Sequence, residues 1–143
     1  MTYEQALKLE DRQLSGGRRN MATAYCFLIL SAVFFAVFFL KVRELPLAGC
    51  AFLCDAAGVV YLLRALPSVC PFRQAQLAAR CAASPSEENV CALCAALEKA
   101  GKKARYGKGP RERFEEARLA CRDLPEEARS MLDAHLKAYG GPA

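Results

Sequence analysis

Residues 22–40 read ATAYCFLILSAVFFAVFFL and contain no Asp, Glu, Lys or Arg. An α-helix rises about 1.5 Å per residue, so a helix over this stretch is close to the thickness of the hydrocarbon core of a bilayer, about 30 Å. Charged residues make up 24% of the 143 residues, and all of them lie outside this stretch. We therefore expect residues 22–40 to form a transmembrane helix.

A second apolar stretch, residues 47–66, reads LAGCAFLCDAAGVVYLLRAL, with Asp55 near its middle and Arg64 near its end. On the membrane-insertion scale a central Asp costs about 2.5–3.5 kcal/mol, whereas each Leu or Val returns only about 0.3–0.6 kcal/mol. Insertion of this helix alone is therefore marginal, and packing against the first helix is expected to supply the remainder. Because only a short loop separates the two stretches, the sequence predicts a transmembrane helical hairpin.

Lys and Arg are more numerous on the flanks of the hairpin than in its loop. The loop holds Lys41 and Arg43, whereas the flanks hold Lys8, Arg12, Arg18, Arg19, Arg64, Arg73 and Arg80. Short segments rich in Lys and Arg stay on the cytosolic side of a membrane. We therefore predict a multi-pass protein of the cytoplasmic membrane that contacts the lipid bilayer, with both termini in the cytosol and the loop outside.

The rest of the sequence predicts helices before and after the hairpin. Gly16-Gly17 should end an amphipathic helix near the N terminus, and Pro67 and Pro71 separate the hairpin from an Ala-rich helix, Phe72–Ala83, near the membrane surface. The predicted class is an all-α membrane protein, a two-helix transmembrane hairpin plus a small cytosolic helical bundle. Its divisions are a cytosolic N-terminal amphipathic segment (residues 1–20), the hairpin (21–66, with helices at about 22–40 and 47–66), a juxtamembrane segment (67–84) and a cytosolic helical tail (85–143).

Three further helices are predicted in the tail. Ser84 is followed by Pro85 and Glu87, the pattern of an N-cap, so the first helix should begin at Pro85. Pro110 and Pro125 should open the next two helices. Apolar residues recur at helical spacing and predict that the helices pack together. They are Val90, Leu93, Cys94 and Leu97 on the first helix, Phe114, Ala117 and Cys121 on the second, and Ala128, Met131, Leu132, His135, Leu136 and Tyr139 on the third.

Asp55 is the most informative single residue, because an ionisable side chain at membrane depth is costly and tends to serve a function. Cys50, Cys54 and Gly58 follow one another at intervals of four residues and form a strip of small side chains that lets another helix approach closely. In a hairpin, Ser31 lies at the depth of Asp55 and would donate a hydrogen bond to it. Two interpretations stay open: Asp55 handles ions or protons or joins helices in an oligomer, or it is satisfied within its own hairpin or protonated and inert.

The tail cysteines have two interpretations, metal binding and core packing. Cys91 and Cys94 form a CxxC pair, and with Cys81, Cys121 and His135 they are candidate zinc ligands. The pair lies inside a predicted helix, however, and Cys on an apolar helix face packs as a small hydrophobic residue. Packing is therefore the favoured interpretation. We expect reduced thiols in the cytosol and no cofactor, and we place Cys70 just beyond the second membrane helix.

A basic run lies in the middle of the tail. Its members are Lys99, Lys102, Lys103, Arg105, Lys108, Arg111 and Arg113. In a protein held at a membrane, each such charge near an anionic surface contributes about 1 kcal/mol of attraction. A solvated helix end gives the same pattern. Nucleic-acid binding is disfavoured, because Tyr106 is the only aromatic residue in the run that bases would stack on.

Enzyme activity is not expected, because the sequence has no phosphate-binding loop, nucleophile elbow or metalloprotease motif and has a single His. The leading hypothesis is a membrane-anchored interaction or scaffold protein that binds an unknown protein partner or a second copy of itself. The alternatives are a subunit of an oligomeric channel or transporter that uses Asp55, and a thiol- or metal-binding cytosolic module.

Overall fold

The structure is a computed structural model that describes residues 2–40, 44–69 and 71–140. Across these residues the chain forms α-helices, two short 3-10 helices and no β-strand, which confirms the all-helical class. The α-helices are α1 (Tyr3–Leu40), α2 (Leu45–Ala65), α3 (Phe72–Ala83), α4 (Glu87–Ala100), α5 (Lys108–Ala120) and α6 (Glu126–Tyr139), and the 3-10 helices are Leu66–Ser68 and Cys121–Asp123. The predictions about Lys41, Arg43 and Cys70 lie outside the described residues.

Two of these helices, α1 and α2, are long and apolar enough to cross a membrane. The uncharged stretch, residues 22–40, is the second half of α1. α2 begins at Leu45, slightly before the predicted start, and Pro46 lies in its first turn. A proline is tolerated there because the first turn of a helix does not need its N–H group.

The prediction that Gly16-Gly17 ends the first helix is wrong. α1 runs through both glycines as one helix of 38 residues. A glycine inside a helix costs only about 0.5–1 kcal/mol relative to Ala, and the flanking residues are mostly good helix formers. The pair therefore weakens the helix locally without ending it.

The chain divides into two compact units. The helical unit combines residues up to Leu14 with residues from Ser68 onward, and the hairpin unit is residues 15–67. In the helical unit α3 packs against α4 and α5, and α4 packs against α6. The N-terminal segment and α3 thus belong to the same compact unit as the tail helices, and the predicted divisions at residues 1–20, 67–84 and 85–143 stay a prediction.

The core of the helical unit contains the apolar residues that the sequence placed there. The predicted faces of α4 and α5 are buried, and on α6 the predicted residues are buried or partly buried against the core. α3 adds its own buried side, including Leu77 and Cys81. Gln74 of α3 is also buried, and its side-chain amide donates a hydrogen bond to the Ala96 carbonyl oxygen at 3.1 Å.

α4 begins at Glu87, two residues later than predicted. Ser86, not Ser84, is the N-cap, and its hydroxyl oxygen accepts a hydrogen bond from the Asn89 backbone N–H at 3.2 Å. The Asn89 side-chain amide donates to the Ser84 carbonyl oxygen at 2.7 Å. This register places Glu87 in the first turn, where a negative charge favours the positive end of the helix dipole.

Candidate functional site

Small residues form the contact between the two helices of the hairpin unit. The buried positions are Gly17, Ala24 and Ser31 on α1 and Ala51, Gly58 and Ala65 on α2. On each helix they recur every seven residues, which is the repeat that keeps one face of a helix against its neighbour in left-handed packing. We call these six residues the seam.

At Gly58 the two helices of the seam approach each other closely. A Cβ atom built on Gly58 would lie 3.0 Å from the Leu28 side chain and 3.4 Å from the Ala24 carbonyl oxygen. A gap this small is the close backbone approach that small residues allow between membrane helices. The sequence prediction that Gly58 lies at a helix contact is therefore supported by the contact with α1.

Aromatic pairs fix the register of the two helices. Phe35 meets Phe52 edge to face at 5.3 Å between ring centroids, and Phe27 stacks on Tyr61 at 5.8 Å. Ser31 lies midway between Phe27 and Phe35, so the middle of α2 lies opposite Ser31. The depth predicted for Ser31 relative to Asp55 agrees with this register.

Cys50 does not lie on the seam, so the buried side of α2 differs from the predicted small-residue strip. Cys50 is exposed and Cys54 is half-buried, whereas the neighbouring Ala51 is fully buried. Asp55 is exposed, and no hydrogen bond joins it to Ser31 within the described residues. Asp55 lies beside the seam, four residues after Ala51 and three before Gly58, with its side chain exposed.

A buried ion pair within the helical unit was not predicted from the sequence. The Arg73 guanidinium of α3 donates two hydrogen bonds to the Glu10 carboxylate, from Nη2 to Oε1 at 2.5 Å and from Nε to Oε2 at 3.2 Å. Glu10 is 1% exposed. The sequence does indicate that Glu10 is buried. Glu10 follows Tyr3 and Ala6 at helical spacing and therefore lies on the inward side of the N-terminal segment.

Further contacts hold the N-terminal segment to α4 and α6. The Tyr3 hydroxyl donates a hydrogen bond to the Glu98 carboxylate and lies 2.9 Å from Nε2 of His135. Lys99 pairs with Asp11 at 2.7 Å on the surface. Three of the four helices α3–α6 of the helical unit therefore contact the first residues of the chain.

The structure brings the candidate metal ligands together only in part. Cys94 and Cys121 lie in the core of the helical unit with Cys81, Cys91 is half-buried on α4, and His135 lies against Tyr3. Among the residues that the structure describes, no three His, Cys, Asp or Glu side chains are grouped as metal ligands.

The buried thiols are expected to resist labelling. Burial raises the pKa of Cys81 to about 12 and raises the pKa of Cys94 and of Cys121 above the ordinary thiol value. Because the thiolate is the reactive form, raising the pH from about 7 to about 9 should not make these three react with a maleimide in the folded chain. Mass spectrometry after a labelling pulse, with and without denaturant, measures this. Rapid labelling of Cys94 in the native protein would contradict core packing.

The basic run is only partly neutralised. Lys99 pairs with Asp11, Lys108 lies 3.8 Å from Glu112, and Arg113 pairs with Glu116 at 2.8 Å. The other four are exposed and have no ion pair to any described residue. They are Lys102, Lys103, Arg105 and Arg111. Contact with anionic lipid stays a prediction for this surface.

Tyr106, the aromatic residue of the basic run, is buried. It is 3% exposed and meets Phe114 edge to face at 5.1 Å between ring centroids. Its ring is therefore part of the core and is not presented for stacking on a base.

Between α5 and α6 a polar groove of about 460 Å³ contains the ion pair of Arg118 with Asp133, whose atoms are 2.9 Å apart.

Comparison with protein-family models, with curated proteins and with solved structures finds no match to this chain. The functional argument therefore depends on the geometry of the two units.

Proposed function

We propose that this chain is a membrane-anchored interaction protein of the cytoplasmic membrane. In this proposal α1 and α2 cross the bilayer as a hairpin, and the helical unit lies in the cytosol, where it presents its surface to a protein partner. The observation that carries the proposal is that the helical unit contains residues from both sides of the hairpin. Segments that fold together must lie on the same side of a membrane, and two crossings satisfy this condition.

The contacts of the N-terminal segment support a stable unit. The Glu10–Arg73 pair joins the beginning of the chain to α3, and Tyr3 joins it to α4 and α6. The charge pattern supports the cytosolic assignment, because the hairpin flanks hold more Lys and Arg than the loop does.

The topology can be tested by labelling with a maleimide that does not cross membranes. In intact cells, Glu44→Cys before α2 should react from outside. Ser130→Cys, on the exposed side of α6, is the matched control and should react only after the membrane is permeabilised. The unchanged chain provides the background from native cysteines. Labelling of Ser130→Cys in intact cells, or epitope tags on the two termini that lie on opposite sides, would refute the proposed topology.

A second candidate function is a subunit of an oligomeric channel or transporter. The observation that favours it is the outward position of Asp55 on α2. An ion flux in liposomes that Asp55→Asn abolishes, with association of the chains unchanged, would favour this function over a purely interacting role.

A further inference from the structure

Asp55 lies in the middle of an otherwise apolar exposed surface. It is the central residue of α2, which runs from Leu45 to Ala65. Phe52 and Val59, one helical turn on either side of it, are 65% and 47% exposed. Within the described residues, no hydrogen bond or ion pair satisfies the Asp55 carboxylate.

The hairpin uses only one edge of this surface for its own packing, where the Phe52 ring meets Phe35 of α1. The seam uses Ala51, Gly58 and Ala65 of α2, and its contacts are made by apolar and small side chains. Ionisable residues inside membranes almost always face another protein segment or a water-filled cavity. The exposed surface around Asp55 is therefore an interface that the single chain leaves open.

A second copy of the chain would not supply an opposite charge at this depth. Among the described residues of the hairpin unit, the basic side chains are Arg18 and Arg19, which precede the uncharged stretch of α1, and Arg64, near the end of α2. Arg64 is about 13 Å along the helix axis from Asp55, at about 1.5 Å per residue. Copies with the same orientation would place Asp55 level with Asp55, where two carboxylates repel each other unless one is protonated.

We propose that the surface around Asp55 binds a transmembrane helix of another protein that carries a Lys or Arg near its middle. The inference rests on the proposed function, because it requires α2 to cross the bilayer. The partner's cation forms an ion pair with Asp55 away from water, and Phe52 and Val59 pack against the apolar sides of the same helix. The charge thus selects the partner, and the apolar contacts enlarge the area buried between the two helices.

The test uses the full chain in vesicles of uncharged lipid with two synthetic transmembrane peptides. The peptides are Leu- and Ala-rich and differ at one central position, which is Lys in one and Leu in the other. Energy transfer between dyes on chain and peptide measures association. The Lys peptide should bind about tenfold more tightly than the Leu peptide, the size of effect that polar contacts between membrane helices produce in model peptides.

Three variants test the role of the carboxylate. Asp55→Asn should lose most of the preference for the Lys peptide, and Asp55→Glu should keep it. Glu44→Gln removes an exposed carboxylate outside the apolar part of α2 and should also keep it. Equal binding of both peptides to the unchanged chain, or an equal loss in Glu44→Gln and Asp55→Asn, overturns the inference.

Two further outcomes separate this inference from the proposed function. Self-association that depends on Asp55, with no preference for the Lys peptide, overturns the inference and assigns the surface to a second copy. Extraction of the chain from membranes by alkaline carbonate overturns both the inference and the proposed function. Firm insertion with no preference for the Lys peptide overturns the inference alone.

Discussion

Arg73→Ala should lower the free energy of unfolding of the helical unit by about 3 kcal/mol, the lower end of the range for breaking a buried ion pair. The substitution leaves the Glu10 carboxylate, which is 1% exposed, without its bidentate partner. We choose the lower end because the Arg73 side chain is 17% exposed and water can reach part of it. Denaturant unfolding of the full chain in mild detergent, followed by circular dichroism, measures the change.

Lys99→Ala is the matched control for this prediction. It also removes a cation that pairs with an acid of the N-terminal segment, but Asp11 is well exposed, so the loss should be about 0–1 kcal/mol. Replacing Glu10 and Arg73 together by Leu should recover part of the loss, because no buried charge is then left alone. Equal losses in Arg73→Ala and Lys99→Ala would show that burial of Glu10 is not the cause.

Gly58→Leu should destabilise the hairpin by about 1–3 kcal/mol, the usual cost of overpacking a tight contact. The first added carbon would already lie 3.0 Å from Leu28 and 3.4 Å from the Ala24 carbonyl oxygen. Leu28 can turn aside to some extent, but the backbone of α1 cannot do so without separating the helices. A heat challenge in mild detergent, followed by gel filtration of the folded fraction, measures the effect.

Gly49→Leu is the matched control on the same helix. A Cβ atom on Gly49 would meet nothing within 4 Å, so the same added bulk should leave the midpoint of the heat challenge nearly unchanged. If both variants lose the folded fraction at the same temperature, the destabilisation comes from helix propensity or detergent binding and not from the seam.

Several local features were predictable from the sequence because they depend on residues close together in the chain. The bounds Phe72–Ala83 for α3 match the prediction, since prolines before the helix determine where it can start. The buried face of α4 matches because hydrophobic spacing at a period of 3.6 residues reports the inward side of a helix. The length of the apolar stretch in α1 likewise depends on composition alone.

Other features depend on contacts between distant residues. The pairing of Glu10 with Arg73 joins positions that no local pattern connects. On α2 nearly all residues are apolar or small, so hydropathy does not report which side meets α1. Composition therefore does not distinguish Cys50 from Ala51 as the buried position, and Asp55, expected to accept a hydrogen bond from Ser31, is exposed without one.

The joining of both ends of the chain into one helical unit has a consequence for biosynthesis. Translation adds about 5–20 residues per second, so the N-terminal segment waits for several seconds before α3 leaves the ribosome. During this time Glu10 has no Arg73 to pair with. If synthesis stops before α3 is made, the N-terminal segment stays unfolded and accessible to quality-control proteases. A fusion placed before Met1 therefore adjoins the segment that must pair with α3, and we expect it to affect the folding of the whole helical unit.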